Sequence, residues 1–174
     1  MTMTLVSTVT VGAGGASQID FSSVPQTGTD LIVHLSGRNT VDANSNGAIV
    51  YLRPNGSSSN GSSRMLVGTG TTSISETDTN IYGRMVPSDY TSNTFSVTTF
   101  YIANYAGSTN KSISTDAVNE NNATATRTQI IASLWSSTSA ITSISLVPAG
   151  GTFAQYSVAS LYTVTKGSGG ATVS

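Results

Sequence analysis

The chain alternates in steps of two. From residue 4 onward Val, Ile, Thr and Tyr recur at alternate positions over long stretches, while the strong helix formers Glu, Lys and Gln are nearly missing. Successive side chains of a strand point to opposite faces, and β-branched residues fit that pleated surface well. The pattern therefore demands strands, and no segment combines the period, caps and length of a helix. Residues 4–11 set Leu5, Val9 and Val11 on one face, residues 19–21 make a short strand, and residues 30–37 point Leu31, Val33 and Leu35 one way. Further strands are expected at 48–53, 64–68, 81–86, 94–104, 112–118, 126–135, 140–147 and 153–164. The pair 126–135 and 140–147 reads as a hairpin across Ser136-Ser137-Thr138-Ser139.

Turn residues separate these segments. Val24-Pro25-Gln26-Thr27-Gly28 and Pro148-Ala149-Gly150-Gly151 carry a Pro that presets φ and a Gly that accepts positive φ. Roughly ten short strands without helices, in 174 residues, specify one all-β domain of two packed sheets. The expected architecture is an antiparallel β-sandwich with jelly-roll topology, whose double Greek key leaves few exposed edges. The domain spans residues 1–166, and the Gly- and Ser-rich residues 167–174 are expected to form a flexible tail.

Charge narrows the functional classes. Only 9% of the residues are charged and the net charge is −1, with the seven basic residues scattered singly. Phosphate neutralisation needs clustered Lys and Arg, so no nucleic-acid partner is expected. Cysteine is absent, which removes disulfides and Cys-ligated zinc. Met1-Thr2-Met3-Thr4-Leu5 has neither the basic nor the apolar region of a secretion signal, and no apolar run approaches ~18 residues. No membrane association is expected, and assembly in a cytoplasm is.

Three motifs invite chemistry and each lacks a part. Asp42-Ala43-Asn44-Ser45-Asn46-Gly47 opens like a calcium loop, but the twelfth position, which should be a bidentate carboxylate, is Arg53. Ser108-Thr109-Asn110-Lys111 has the Ser-x-x-Lys spacing of acyl-transferring serine enzymes, but it sits between strands, where no helical turn brings amine to hydroxyl. His34 is the single histidine and has no carboxylate at useful spacing. The acids Asp42, Glu76, Asp78, Asp89, Asp116 and Glu120 fall in or near loops with no preferred pair. The sequence thus calls for no enzyme activity, no metal and no cofactor.

Two other sets of residues are better placed for recognition. Where both faces of a strand are apolar, one face is surplus to a single core, and Val50, Leu52, Phe100 and Ile102 are assigned on that ground to a subunit interface. Asp42, Asn44 and Asn46 in one loop, and Asn55 and Asn60 in another, are the candidate binding-loop residues.

Patches of the chain resemble small virion proteins of tailed bacteriophages. The segment from Ile19-Asp20-Phe21 through Val24-Pro25-Gln26-Thr27-Gly28 to Asp30-Leu31, with its strand ending Ser36-Gly37-Arg38, is similar to one recurring in that group. So are Trp135 through Ile141 to Leu146, then Phe153, and the closing Ser160-Leu161-Tyr162-Thr163-Val164. Tyr51-Leu52-Arg53-Pro54-Asn55-Gly56 sits where the group carries a strand ending in an Asn-Gly turn, with Pro54 standing in place of an aromatic. The resemblance implies a β-sandwich on the phage particle and carries over no catalytic residue. A capsid decoration (cement) protein is the expectation: a homotrimer bound to the major capsid protein on the outside of the virion, stabilising its lattice. The first strand begins within a few residues of Met1, without the elongated region a fibre head would need. The alternative is a tail-fibre or receptor-binding module recognising a host-surface carbohydrate.

Overall fold

A computed structural model of the chain describes residues 2–43, 47–122 and 126–165. The expected tail, and Asn44 and Asn46 of the candidate calcium-like loop, lie outside them. Among the described residues there are twelve strands and no helix: β1 (Thr2–Thr10), β2 (Ile19–Phe21), β3 (Asp30–Gly37), β4 (Ala48–Pro54), β5 (Gly61–Gly68), β6 (Ser73–Asp78), β7 (Tyr82–Met85), β8 (Ser96–Ile102), β9 (Lys111–Glu120), β10 (Thr126–Trp135), β11 (Ile144–Pro148) and β12 (Val158–Thr165). They form an eight-stranded sheet ordered β1-β12-β3-β8-β9-β10-β5-β6 and a four-stranded sheet ordered β2-β11-β4-β7, all neighbours antiparallel.

The order contains a jelly roll. Without β5, β6, β9 and β10 the chain gives two four-stranded sheets, β1-β12-β3-β8 and β2-β11-β4-β7, the interleaved order of two Greek keys. The remaining strands are two inserted hairpins, β5–β6 between β4 and β7, and β9–β10 between β8 and β11. They pair with each other through β10 and β5 and extend the larger sheet beyond β8. The β-sandwich read from the sequence is present, with a four-stranded extension.

Alternation places the core. Leu31, Val33 and Leu35 of β3, Phe100 and Ile102 of β8 and Leu161 of β12 meet Val50 and Leu52 of β4 and Ile144 and Leu146 of β11, all buried in one cluster. A second cluster joins Met65 and Val67 of β5, Ile131 of β10 and Tyr82 of β7, with Ile49 and Tyr51 packed against it. Tyr51 and Tyr82 are register partners, as are Val50 and Gly83, so the two pairs lie on opposite faces of the small sheet. The extension therefore curls around the β7 edge and covers the far face of that sheet. Gly83 permits the fit: a Cβ there would stand 2.5 Å from Thr98 Cγ2 and 3.1 Å from Phe100 Cζ.

This arrangement corrects the interface assignment. Val50, Leu52, Phe100 and Ile102 are at most 2% exposed, packed between the two sheets of one chain. Both faces of these strands are indeed apolar, but the surplus face is the other one. On β8 it carries Val97, 59% exposed, while on β4 Ile49 and Tyr51 are partly covered by the curled extension.

Three local expectations also change. Strands β10 and β11 are no hairpin, since they belong to different sheets. Ile141 and Ile144 are both fully buried but three positions apart, a break in the two-residue period where the chain crosses between layers. In β1 the register shifts between Leu5 and Ser7, so Leu5 turns to solvent while Val6 and Val9 pack against the core. Strand β6 has no counterpart in the sequence reading, because an edge strand of hydroxyl and acidic residues around Ile74 carries no apolar alternation.

Candidate docking surface

Of the recognition candidates in the loops, Asn55 and Asn60 resolve into structural parts. Asn55 adopts φ 51°, and its side chain is committed to the neighbouring crossover. Its Oδ1 accepts from the backbone amides of Thr142 at 2.8 Å and Ser143 at 3.2 Å, while its Nδ2 donates to Ala140 O at 2.8 Å. Asn55 is thus corrected from a binding-loop residue to a splice between two loops. Asn60 lies at φ 64° and gives its carbonyl to the amide of Ser136. Asp42 is exposed in its loop.

The reactive motifs do not assemble. His34 is exposed on the outer face of the larger sheet, its Nδ1 2.9 Å from Thr99 Oγ1 and its ring edge-on to Tyr162. Lys111 is sealed from solvent, and its Nζ donates to the carbonyls of Gly107, Thr109 and Ser139, each at 2.7 Å, beneath the Trp135 ring at 5.8 Å. Burial holds its pKa below the ordinary value. The ammonium is a clamp between the β8–β9 loop and the crossover, turned toward carbonyls rather than toward a nucleophile. No group of three or more His, Cys, Asp or Glu suited to a metal occurs among the described residues.

Three other cations are likewise fixed internally. Arg38 reaches the carbonyls of Thr91, Thr94, Ser88 and Tyr90 at 2.9 to 3.1 Å, and burial lowers its pKa. Arg84 donates to Gly47 O at 2.7 Å, and its pKa is lowered by burial first and by the nearby Arg127 charge second. Arg127 pairs with Glu76 at 3.1 Å. Around these two arginines the amide nitrogens of Asn119 and Gln129, and the Nε of Arg84, are buried without a hydrogen-bond partner. Four of the basic residues that the sequence scatters singly, Lys111, Arg38, Arg84 and Arg127, are therefore internal fasteners of loops and layers, a role no spacing pattern announces.

What remains for recognition is the outer face of β8 and the extension beside it. Register fixes its rows. Val97, Val118, Thr128 and Gly68 lie side by side across β8, β9, β10 and β5; the next row is Thr99, Asp116, Ile130 and Leu66; the third is Tyr101, Ser114, Ala132 and Arg64. Ile130 is 61% exposed, Val97 59%, Leu66 58% and Val118 44%, with Leu134 further along β10 also exposed. A shallow depression bounded by Phe95, Val97, Val118 and Thr128 opens at one end of this face. Scattered apolar residues on a surface are ordinary, but neighbours in register make one contiguous patch. Its surround is Ser and Thr, with Asp116 and Arg64 the charged residues in the second and third rows.

Neither a protein-family model, nor a curated protein, nor a solved structure matches the chain.

Proposed function

We propose that this chain is a structural protein of a bacteriophage particle, a capsid decoration protein on the outer surface of the virion whose task is packing rather than catalysis. The observation that carries the reading is the contiguous apolar face of Val97 on β8 with Val118, Ile130 and Leu66 on an extension that the jelly roll itself does not need. Apolar rows on a neutral, hydroxyl-rich surface favour burial against protein, because a face without clustered charge offers little to nucleic acid or to small charged ligands. The resemblance to small virion sandwiches supplies the particle and the major capsid protein as partner. Lys111, Arg38 and Arg84, turned inward toward carbonyls, agree with a protein whose few charges serve rigidity.

The test is location and consequence. Labelled antibody and cryo-imaging of phage particles carrying the gene should place the protein on the head exterior. Particles lacking it should lose DNA at lower temperature than complete ones. Label at the tail tip would move the protein to host recognition, and unlabelled particles of unchanged stability would overturn the reading.

A further inference from the structure

We propose that the pocket between the β4–β5 loop and the β6–β7 turn is a carboxylate-binding site, in which the Arg53 guanidinium receives the acid head of the ligand. The pocket belongs to the far face of the small sheet, where the inner side of the extension packs, and not to the apolar outer face of Val97, Val118, Ile130 and Leu66.

The site begins with the alternation of β4. Val50 and Leu52 point into the core between the sheets, which turns Tyr51 and Arg53 to the other face. Tyr51 packs there against the second cluster, and the Arg53 guanidinium lies over the Tyr51 ring, 5.4 Å from its centroid. The Nε of Arg53 is buried without a hydrogen-bond partner. No carboxylate of the described residues pairs with this cation, since the ion pair among them joins Arg127 to Glu76. Asp20 shares its row through Ser145, but it stands two strands away, about 10 Å, and accepts from Gln18 Nε2 at 2.7 Å. Asp78, before the β6–β7 turn, accepts from the backbone and side-chain nitrogens of Asn80 at 2.7 and 2.9 Å. Arg53 is thus a cation held in place by its stem and ring contact, with its charge uncompensated.

The size of the pocket limits what can enter. Tyr51 and Arg53 line it with Ser57, Ser58, Thr79 and Asn80, and its volume is about 10 Å³. That is room for one oxygen-sized group, so a sugar ring or an aromatic ring is too large. The chemistry of the wall then selects the oxygen. A buried N–H without an acceptor is costly, and water would relieve it, but water leaves the positive charge unbalanced. A carboxylate answers both needs. Its two oxygens accept side by side from Nε and one Nη in the guanidinium plane, one oxygen inside the pocket and the other toward solvent. Arg53 is the one cation lining the pocket and no acid lines it, which matches a ligand of single negative charge. A phosphate monoester, at roughly −1.5 to −2, calls for a second cation. The wall is also formed in advance, because Ser57 Oγ and Ser59 Oγ lie 3.3 Å apart and the Ser59 amide donates to Ser57 Oγ at 3.3 Å.

Arginine side-chain and backbone 1H–15N spectra of the purified chain, titrated with sodium acetate at an ionic strength held constant with sodium chloride, test the site. The Arg53 Nε–H signal should shift and saturate with a Kd of roughly 1–10 mM, and the backbone amides of Ser58 and Gly61 should follow it. Arg53→Gln removes the charge and Arg53→Lys removes the fork, and each should weaken the saturable shift of those amides at least tenfold. Arg53 is only part-buried, so both variants should keep the fold, which circular dichroism checks. A blocked peptide with a single glutamate separates the sources: binding at least tenfold tighter than acetate assigns the pocket to an acidic side chain of a protein partner, and weaker binding than that assigns it to free carboxylates. No saturation by about 100 mM acetate, an equal shift from chloride, tighter binding of phosphate, or unchanged binding in the two variants would each overturn the site.

Discussion

Replacing Lys111 by Met tests whether a buried ammonium holds the β8–β9 loop to the β10–β11 crossover. The Lys111 side chain makes three 2.7 Å hydrogen bonds to the carbonyls of Gly107, Thr109 and Ser139, and a longer one to Ser137 at 3.5 Å, without a carboxylate. Methionine matches its length and leaves those carbonyls without that donor. Charged hydrogen bonds contribute about 1.5–3 kcal/mol each, but the variant also escapes the cost of burying a charge, and loop carbonyls turn partly toward water. The net loss should be about 3 kcal/mol, a fall in melting temperature of roughly 6–12 °C for a domain of this size. Urea unfolding followed by Trp135 fluorescence measures it, and amide exchange should rise in residues 136–143. The pH response supplies a second readout. With its native pKa lowered below the ordinary 10.5, Lys111 binds fewer protons in the folded chain than in the unfolded one across that window. Stability of the native chain relative to Lys111→Met should therefore increase as pH rises toward 10.5. A variant within about 1 kcal/mol of the parent, or a relative stability that falls through the window, would refute the clamp.

The remaining predictions concern the positions that join the layers. Gly83→Ala should cost about 1–3 kcal/mol in urea unfolding, because the new methyl meets Thr98 and Phe100 where β7 presses into the curl. Asn55→Ala should cost about 1–3 kcal/mol, from four lost side-chain hydrogen bonds and a positive φ, while Asn55→Gly recovers the part due to φ; a change under about 0.5 kcal/mol would return Asn55 to the set of free loop residues. The position of the protein on particles is the corresponding test of assembly.

Much of the fold was legible in the chain because strands write themselves as a period of two. Strand β3 and strand β10 keep the limits their alternation set, 30–37 and 126–135, and the turn at Pro25 to Gly28 lies between the predicted neighbours. Where period fails, so does reading: β6 has one apolar residue, and the Ile141 to Ile144 slip looks like a continuous strand until the layers are known. The candidate site was half legible. Apolar residues on both faces of β8 announced a surplus surface, but Phe100 and Val97 differ by nothing local that says which is inside.

The sequence by itself determined an all-β chain, its two-layer character and its low, dispersed charge, since propensity, periodicity and turn chemistry are properties of neighbours in the chain. The tertiary structure decided the rest. It chose the face of each strand that meets the opposite sheet, turned Lys111 and Arg38 toward carbonyls far from them in sequence, and ranged two inserted hairpins beside β8. The reason is that burial is a relation between segments. A residue's own strand fixes only that its neighbours point the other way, and the partner sheet fixes which way is in.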